Sequence, residues 1–264
     1  MNPILIRGGG DLASGVALRL FRAGFPILIT ELAQPLAVRR TVSFSEAIYA
    51  AQVEVEGVTG LRADSAAEAF DLAQQGLVPV LLDPEAEILN HRPFTALIDA
   101  RLLKQPAATR LDLAPLVIGL GPGFTAGVNC HALVETQRGH TLGRVYWTGS
   151  ANQDSGQPDG DPRRVLRAPV AGRLTGHAEI GDHVEAGQIL ATVADEAVCA
   201  PFAGVLRGLL HPGLTVPKGL KIGDVDPRDE RSACFLASDK ALAIGGGVLE
   251  ALLSRPEIRA QLAG

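Results

Sequence analysis

The chain has 264 residues, 47% of them hydrophobic and 20% charged, with a formal net charge of −5. That composition suits a globular protein with an ample core and excludes a disordered one. Arginines interspersed among acids leave no basic stripe for nucleic acid, and no apolar run approaches the ~18 residues that a membrane helix needs. Taking the chain in order, residues 3–6 are a short apolar run ending in glycines. Residues 12–23 then carry apolar positions at helical spacing (Leu12, Val16, Leu20) until Gly24, and residues 26–29 are the next apolar run. This is a β-turn-α-β opening, the start of a parallel sheet. Ser43-x-x-Glu46 reads as a capping box for a helix running to about Ala51, and Ser65-x-x-Glu68 as a second one, with Gly76 as its C-cap. Residues 78–82, 95–98, 116–118 and 128–134 read as further strands with little helix between the later ones, so the first domain is α/β with a mixed sheet. From Thr148 to Arg164 apolar periodicity vanishes among turn formers, which marks a linker or loop. The last stretch, residues 248–262, reads as a helix with Leu249, Leu252, Leu253 and Ile258 as its apolar positions, docking back on the first domain.

Three groups of residues bear on chemistry. Gly8-x-Gly10-x-x-Ala13, with Gly9 and Asp11 inside it, follows a strand and opens a helix. Glycines at this turn let the backbone approach a pyrophosphate, whose charge then faces the helix amides. Glu31 ends the second strand twenty-one residues after Gly10, where an acid accepts ribose hydroxyls. Against this, the Asp11 carboxylate stands at the helix mouth and repels phosphate. Arg39 and Arg40 precede the helix opened by Ser43, so two guanidiniums and a positive helix end suit an anion. Gly121 and Gly123 lie in the glycine-rich turn 119–127, which is expected to approach a ligand or another backbone closely. Gly245-Gly246-Gly247 reads as a third such turn, its purpose close helix packing. Asp83 and Asp99 each end a strand, where an aspartate commonly caps the next turn.

No metal site is expected. His131 and Glu135 would share one face of a strand about 13 Å apart, too far for a single ion, and His140 does not repair the geometry. Cys130, Cys199 and Cys234 show no Cys-x-x-Cys spacing, so all three read as small buried hydrophobes. The apolar start is too short for a signal peptide, which makes the chain cytoplasmic on this reading.

Residues 168–225 say one thing twice. Ala168-Pro169-Val170-Ala171-Gly172 recurs thirty-two residues later as Ala200-Pro201-Phe202-Ala203-Gly204, and each copy leads to a matching tail, Gly181 to Leu190 and Gly213 to Ile222. Two such copies closing on each other make a small β sandwich. The segment resembles the barrel-sandwich module of biotinyl and lipoyl carriers. Their carrier lysine has no counterpart in the hairpin Ala194-Asp195-Glu196-Ala197, so neither biotin nor lipoyl is bound covalently. The resulting division is a Rossmann-like α/β domain over 1–147, a linker over 148–164, a barrel-sandwich hybrid over 165–227 and a returning C-terminal segment over 228–264.

Longer strings carry a wider resemblance. Ile6-Arg7-Gly8-Gly9-Gly10-Asp11-Leu12-Ala13-Ser14-Gly15, Glu31-Leu32, the run Pro35 to Phe44, the turn Gly119 to Gly127, and Ser238-Asp239-Lys240-Ala241 with Ile244 to Glu250 resemble the YqeB family. That family is associated with the selenium-dependent molybdenum hydroxylase system. The resemblance implies a role in maturing such an enzyme or its cofactor, with a hydroxylase subunit as partner; it transfers no catalytic residue. The expected ligand is a small anion, a nucleotide such as NAD(P) or a molybdopterin-type precursor. A small NAD(P)-dependent oxidoreductase and a non-catalytic scaffold for a hydroxylase subunit are the alternatives.

Overall fold

The structure, a computed structural model, describes residues 1–153 and 160–262. Part of the expected linker, 154–159, lies outside the described residues. The chain divides into two compact units, one of residues 1–35, 44–155 and 237–264, the other of 36–43 and 156–236. Segment 36–43, read from sequence as part of the first domain, thus belongs to the second unit.

The first unit is mixed α/β. Its strands are β1 (Ile4–Arg7), β2 (Ile27–Glu31), β3 (Gln52–Val55), β4 (Val58–Ala63), β5 (Val78–Leu82), β6 (Ala96–Asp99), β7 (Val117–Leu120), β8 (Thr125–Ala126), β9 (Ala132–Val134), β10 (Val145–Tyr146) and β11 (Gly149–Ser150). Nine of them form one sheet in the order β10-β9-β7-β6-β1-β2-β5-β4-β3, while β8 and β11 pair separately. The centre, from β9 to β4, is parallel, and the two outermost pairs, β3 with β4 and β9 with β10, are antiparallel. β1, β2 and β6 are near-continuous runs of Ile and Leu because helices or loops cover both faces of such strands.

Helix α1 (Asp11–Arg22) carries the chain from β1 to β2, and α3 (Ala66–Gln74) carries it from β4 to β5 in the opposite direction along the sheet. Right-handed crossovers therefore put α1 and α3 on opposite faces. On the α3 face, Phe70 packs with Leu5, Leu28, Leu81 and Leu97. α3 is capped as the sequence predicts: Ser65 accepts the Glu68 amide, and Gly76 follows with φ +76°.

Elsewhere the expected boundaries move. Ser43 opens no helix; its hydroxyl donates to the Arg39 carbonyl, and only a 3₁₀ turn (Phe44–Glu46) and the four-residue α2 (Ala47–Ala50) follow. The expected strand 128–134 shrinks to β9 because Asn129 is held in a turn, its Oδ1 accepting the Thr125 amide and its Nδ2 donating to the Ala107 and Gly123 carbonyls. Gly245–Gly247 is not a turn. It lies inside α4 (Asp239–Leu253), which Ser238 caps by accepting the Ala241 amide and which α5 (Pro256–Leu262) follows. The packing purpose does hold: a β-carbon on Gly245 would stand 2.8 Å from the Gly15 carbonyl oxygen of α1.

In the second unit the repeat becomes two four-stranded antiparallel sheets. Its strands are β12 (Val165–Arg167), β13 (Gly172–Gly176), β14 (His183–Val184), β15 (Ile189–Val193), β16 (Glu196–Cys199), β17 (Gly204–Leu209), β18 (Thr215–Val216) and β19 (Lys221–Asp226). The sheet orders are β12-β19-β17-β14 and β16-β15-β13-β18. Moving thirty-two residues along the repeat exchanges one order for the other, so each sheet is woven from strands of both copies. Cys199, expected to be buried, is exposed at the end of β16, whereas Cys130 and Cys234 are buried. Alternation explains this: in β16 only Val198 turns inward.

Paired acids on β19 hold this unit's charge in order. Asp226 is 4% exposed and takes Arg228 at 2.6 Å and Arg207 at 3.2 Å, while Asp224 takes Arg164 at 2.8 Å. The hydrogen bond from Arg228 holds the Asp226 carboxyl far below the usual carboxylate range. A depressed folded-state pKa contributes stability above the unfolded value, about 3.9, that is lost as pH falls below it. Asp226→Asn is therefore expected to weaken the second unit at neutral pH and to flatten its stability profile between about pH 5 and 2. Urea midpoints measured across that range check this, and parallel profiles for both proteins would contradict it.

Candidate functional site

The strand order reverses at β1: the chain leaves it for β2 on one side and later returns to β6 on the other. In an open α/β sheet such a reversal opens a crevice beyond the carboxyl ends of the strands. The turn Gly8–Gly10 and Glu31 at the end of β2 stand at this reversal; Arg7 and the buried Asp99 end β1 and β6 beside it, and Arg101 follows.

The glycine turn has three distinct positions. Gly8 has φ +92°, and its amide donates to the Thr30 carbonyl at 2.8 Å. Gly9 is wedged, since a β-carbon there would meet the Ser45 backbone nitrogen at 2.9 Å, and its carbonyl accepts the Ser45 amide. Gly10 is different. Its backbone, φ −67° and ψ −179°, suits any residue, and a β-carbon would meet nothing within 4 Å. It occupies the N-cap of α1, where Ser, Asp or Asn would satisfy an amide better, yet no side chain caps this helix. Among the described residues the amides of Gly10, Leu12 and Ala13 have no acceptor. Asp11 occupies the first turn.

Glu31 does more than the sequence suggests. Its Oε2 accepts the Gly9 amide at 2.6 Å and its Oε1 the Leu32 amide at 2.8 Å. One amide of the turn is thus already filled by the protein's own carboxylate, which is fixed across the mouth of the crevice. Leu82, the register partner of Glu31 on β5, is 50% exposed, as is Leu32 at 49%, so this end of the edge offers an apolar surface.

The remaining residues singled out in the sequence make contacts with protein groups. Arg39 and Arg40 belong to the second unit. The Nη2 of Arg39 donates to the Ala233 and Leu236 carbonyls, both at 2.9 Å, and the Nε of Arg40 donates to the Leu209 carbonyl at 3.0 Å. These bonds anchor segment 36–43 within its unit. Gly121 and Gly123 approach protein rather than open space: a β-carbon would stand 2.9 Å from the Thr136 hydroxyl at Gly121 and 2.6 Å from the Leu103 carbonyl oxygen at Gly123. Asp83 caps the turn after β5 by accepting the Glu87 and Ile88 amides. His131 accepts the Val117 amide on Nδ1, and burial lowers its pKa. Glu135, 1% exposed, accepts the amides of Thr136, Gln137 and Asn152.

Sequence reasoning passed over Arg7, Asp99 as an ion-pair partner, and Arg101. The carboxylate of Asp99 is fully buried. It takes the Nε of Arg101 at 2.8 Å, the Nη2 at 2.6 Å and the Thr109 hydroxyl at 2.6 Å, and the hydrogen bonding raises the Arg101 pKa. The available signal was an arginine closing an otherwise apolar parallel strand.

No protein-family model matches the chain. The uncharacterized protein YqeB of Escherichia coli K12 is 47% identical over 254 residues, which is 95% of this chain and 47% of that protein. The chain therefore spans about half the length of the curated relative it matches. Among solved structures, an aspartoacylase family protein of Mesorhizobium loti is 12% identical with a TM-score of 0.27, the alignment covering 85% of each chain. The ectoine utilization protein EutE of Ruegeria pomeroyi, in its product-bound form, is 13% identical with a TM-score of 0.24, over 84% of this chain and 56% of that one. No helix among the described residues is long and apolar enough to cross a membrane.

Proposed function

Because the chain belongs to the YqeB family, we propose that it is an accessory protein of a molybdenum hydroxylase system whose Rossmann-like unit binds a nucleotide or a phosphorylated cofactor precursor. The second unit, on this reading, is a barrel-sandwich hybrid without a carrier lysine and serves as a docking element for a hydroxylase subunit. The observation that carries the ligand is Gly10. Nothing in the folded chain requires a glycine there, whereas a phosphate approaching the amides of α1 does. The fixed Glu31 carboxylate supports a ligand with a free ribose diol, because each oxygen keeps a lone pair for a hydroxyl and its charge repels a 2′-phosphate. Leu32 and Leu82 give a base an apolar neighbour.

Thermal unfolding should therefore rise with adenine nucleotides such as NAD(H) or ADP, more than with NADP(H), and with molybdopterin-type ligands if the precursor is a pterin. Gly10→Leu is expected to leave the unliganded midpoint nearly unchanged and to abolish the rise. No rise with any of these ligands, or an equal rise in the variant, would overturn the reading. Co-purification with a hydroxylase subunit that survives Gly10→Leu, together with no ligand response, would favour the scaffold alternative.

A further inference from the structure

Arg7 ends β1, a strand otherwise made of isoleucine and leucine, and is only 7% exposed. Strand alternation puts it on the face of Leu5, the face packed by α3 and therefore opposite α1. Of the five N–H donors of its guanidinium, one reaches an acceptor among the described residues, the Pro84 carbonyl at 2.8 Å. Its Nε is buried without a partner, and no acid among the described residues forms an ion pair with it. The acids around it are Asp99, Asp83 and Glu85. Asp99 is committed to Arg101 and Thr109, Asp83 to two backbone amides, and Glu85 is exposed.

Burying a guanidinium with so little compensation is costly, and structural arginines are normally paired or saturated with carbonyls. A second guanidinium stands beside it. A β-carbon on Gly8, the next residue, would lie 3.6 Å from the Cα of Arg101, so the ends of β1 and β6 meet there. Asp99 grips one side of the Arg101 fork through Nε and Nη2; Nη1 makes no hydrogen bond among the described residues, and the side chain is 30% exposed. Burial and the charge of Arg101 lower the Arg7 pKa while Asp99, Glu85 and Asp83 raise it, so the charge is partly balanced but the guanidinium fork is left short of acceptors.

We propose that Arg7 and Arg101 form an oxyanion site at the carboxyl edge between β1 and β6, built for the carboxylate or phosphoryl group of a small ligand. A guanidinium fork matches either group with two parallel hydrogen bonds, and Asp99 with Thr109 holds the second fork in position. The site lies on the sheet face away from α1 and does not depend on a nucleotide at Gly10.

The test is thermal unfolding of the full chain in inorganic phosphate and in acetate, each against chloride at matched ionic strength. Phosphate, acetate or both should raise the midpoint by several degrees, and the stronger of the two identifies the group that the site prefers. Arg7→Met should unfold no earlier than the wild type in chloride, since it removes buried donors that lack acceptors, and should lose the response. Arg7→Lys keeps the charge without the fork and should respond more weakly. Gly10→Leu should keep the part of the response that Arg7→Met loses. The proposal is overturned if neither anion shifts the wild type, if Arg7→Met responds fully, or if Gly10→Leu abolishes the response, which would place the ion at α1. Should Arg7→Met fail to fold, a full response in Arg7→Lys overturns the proposal and a weakened one supports it.

Discussion

Gly15→Leu is expected to destabilise the first unit by about 3 kcal/mol, a cost typical of forcing a side chain into a filled core. The reason is how closely α1 and α4 approach. A β-carbon at Gly15 would stand 2.5 Å from the Ala241 Cβ and 2.7 Å from its carbonyl carbon, which is backbone and cannot swing aside. The contact is reciprocal, because Gly245 of α4 faces the Gly15 carbonyl oxygen and the Val16 Cα, while Gly247 abuts the Gly143 carbonyl. Two helices whose glycines face each other bring their axes closer than side chains of ordinary size allow. Gly246, between these glycines in sequence, meets nothing within 4 Å, so Gly246→Ala should instead stabilise by about 0.5–1 kcal/mol through helix propensity alone. Opposite signs at positions on the same pair of helices, read from urea unfolding, separate close packing from a general intolerance of substitution; equal effects would refute the argument.

Glu135→Leu is expected to cost a comparable amount, about 3–5 kcal/mol, through a different mechanism. The Glu135 carboxylate is buried and collects three amides, from Thr136 and Gln137 at 2.7 Å and from Asn152 at 2.8 Å. Leucine fills the volume but strands all three donors, whereas Glu135→Gln keeps an acceptor for the first two and turns an NH₂ toward the third. The glutamine variant should therefore fall between, losing about 2 kcal/mol. Amide hydrogen exchange at Thr136, Gln137 and Asn152 should accelerate most in the leucine variant. Unchanged exchange at Asn152 in both variants would show that the carboxylate is not what fastens that strand of backbone.

Features written in local chemistry were legible in the sequence. The first crossover was, because an apolar run, a glycine turn and a helical stripe follow one another without interruption; so were the cap of α3 and the two-fold repeat. What stayed hidden depended on partners distant in the chain. The β3–β4 hairpin escaped although Val53, Val55 and Val58 alternate with polar residues around Glu56-Gly57, whose positive φ values, 48° and 78°, are those of a tight hairpin turn. Gly245 to Gly247 read as a break because glycine disfavours helices, and only the close approach of Gly15 to Gly245 and of Gly143 to Gly247 reveals why the helix carries them. Gly121 and Gly123 read as approaching either a ligand or another backbone, because a glycine records that something comes close, not whether that something is protein. For Arg7, no residue nearby in sequence shows that its buried fork finds so few acceptors.

The weaving of the second unit's sheets limits how that unit can be assembled or have arisen. Half of the motif by itself, say 165 to 195, would own outer and inner ribbons from two different layers and could complete neither. Two identical halves, however, could exchange ribbons and close the same pair of layers as separate molecules. The tandem arrangement is thus a dimer written into one polypeptide, and covalent linkage frees each half to diverge without losing its mate.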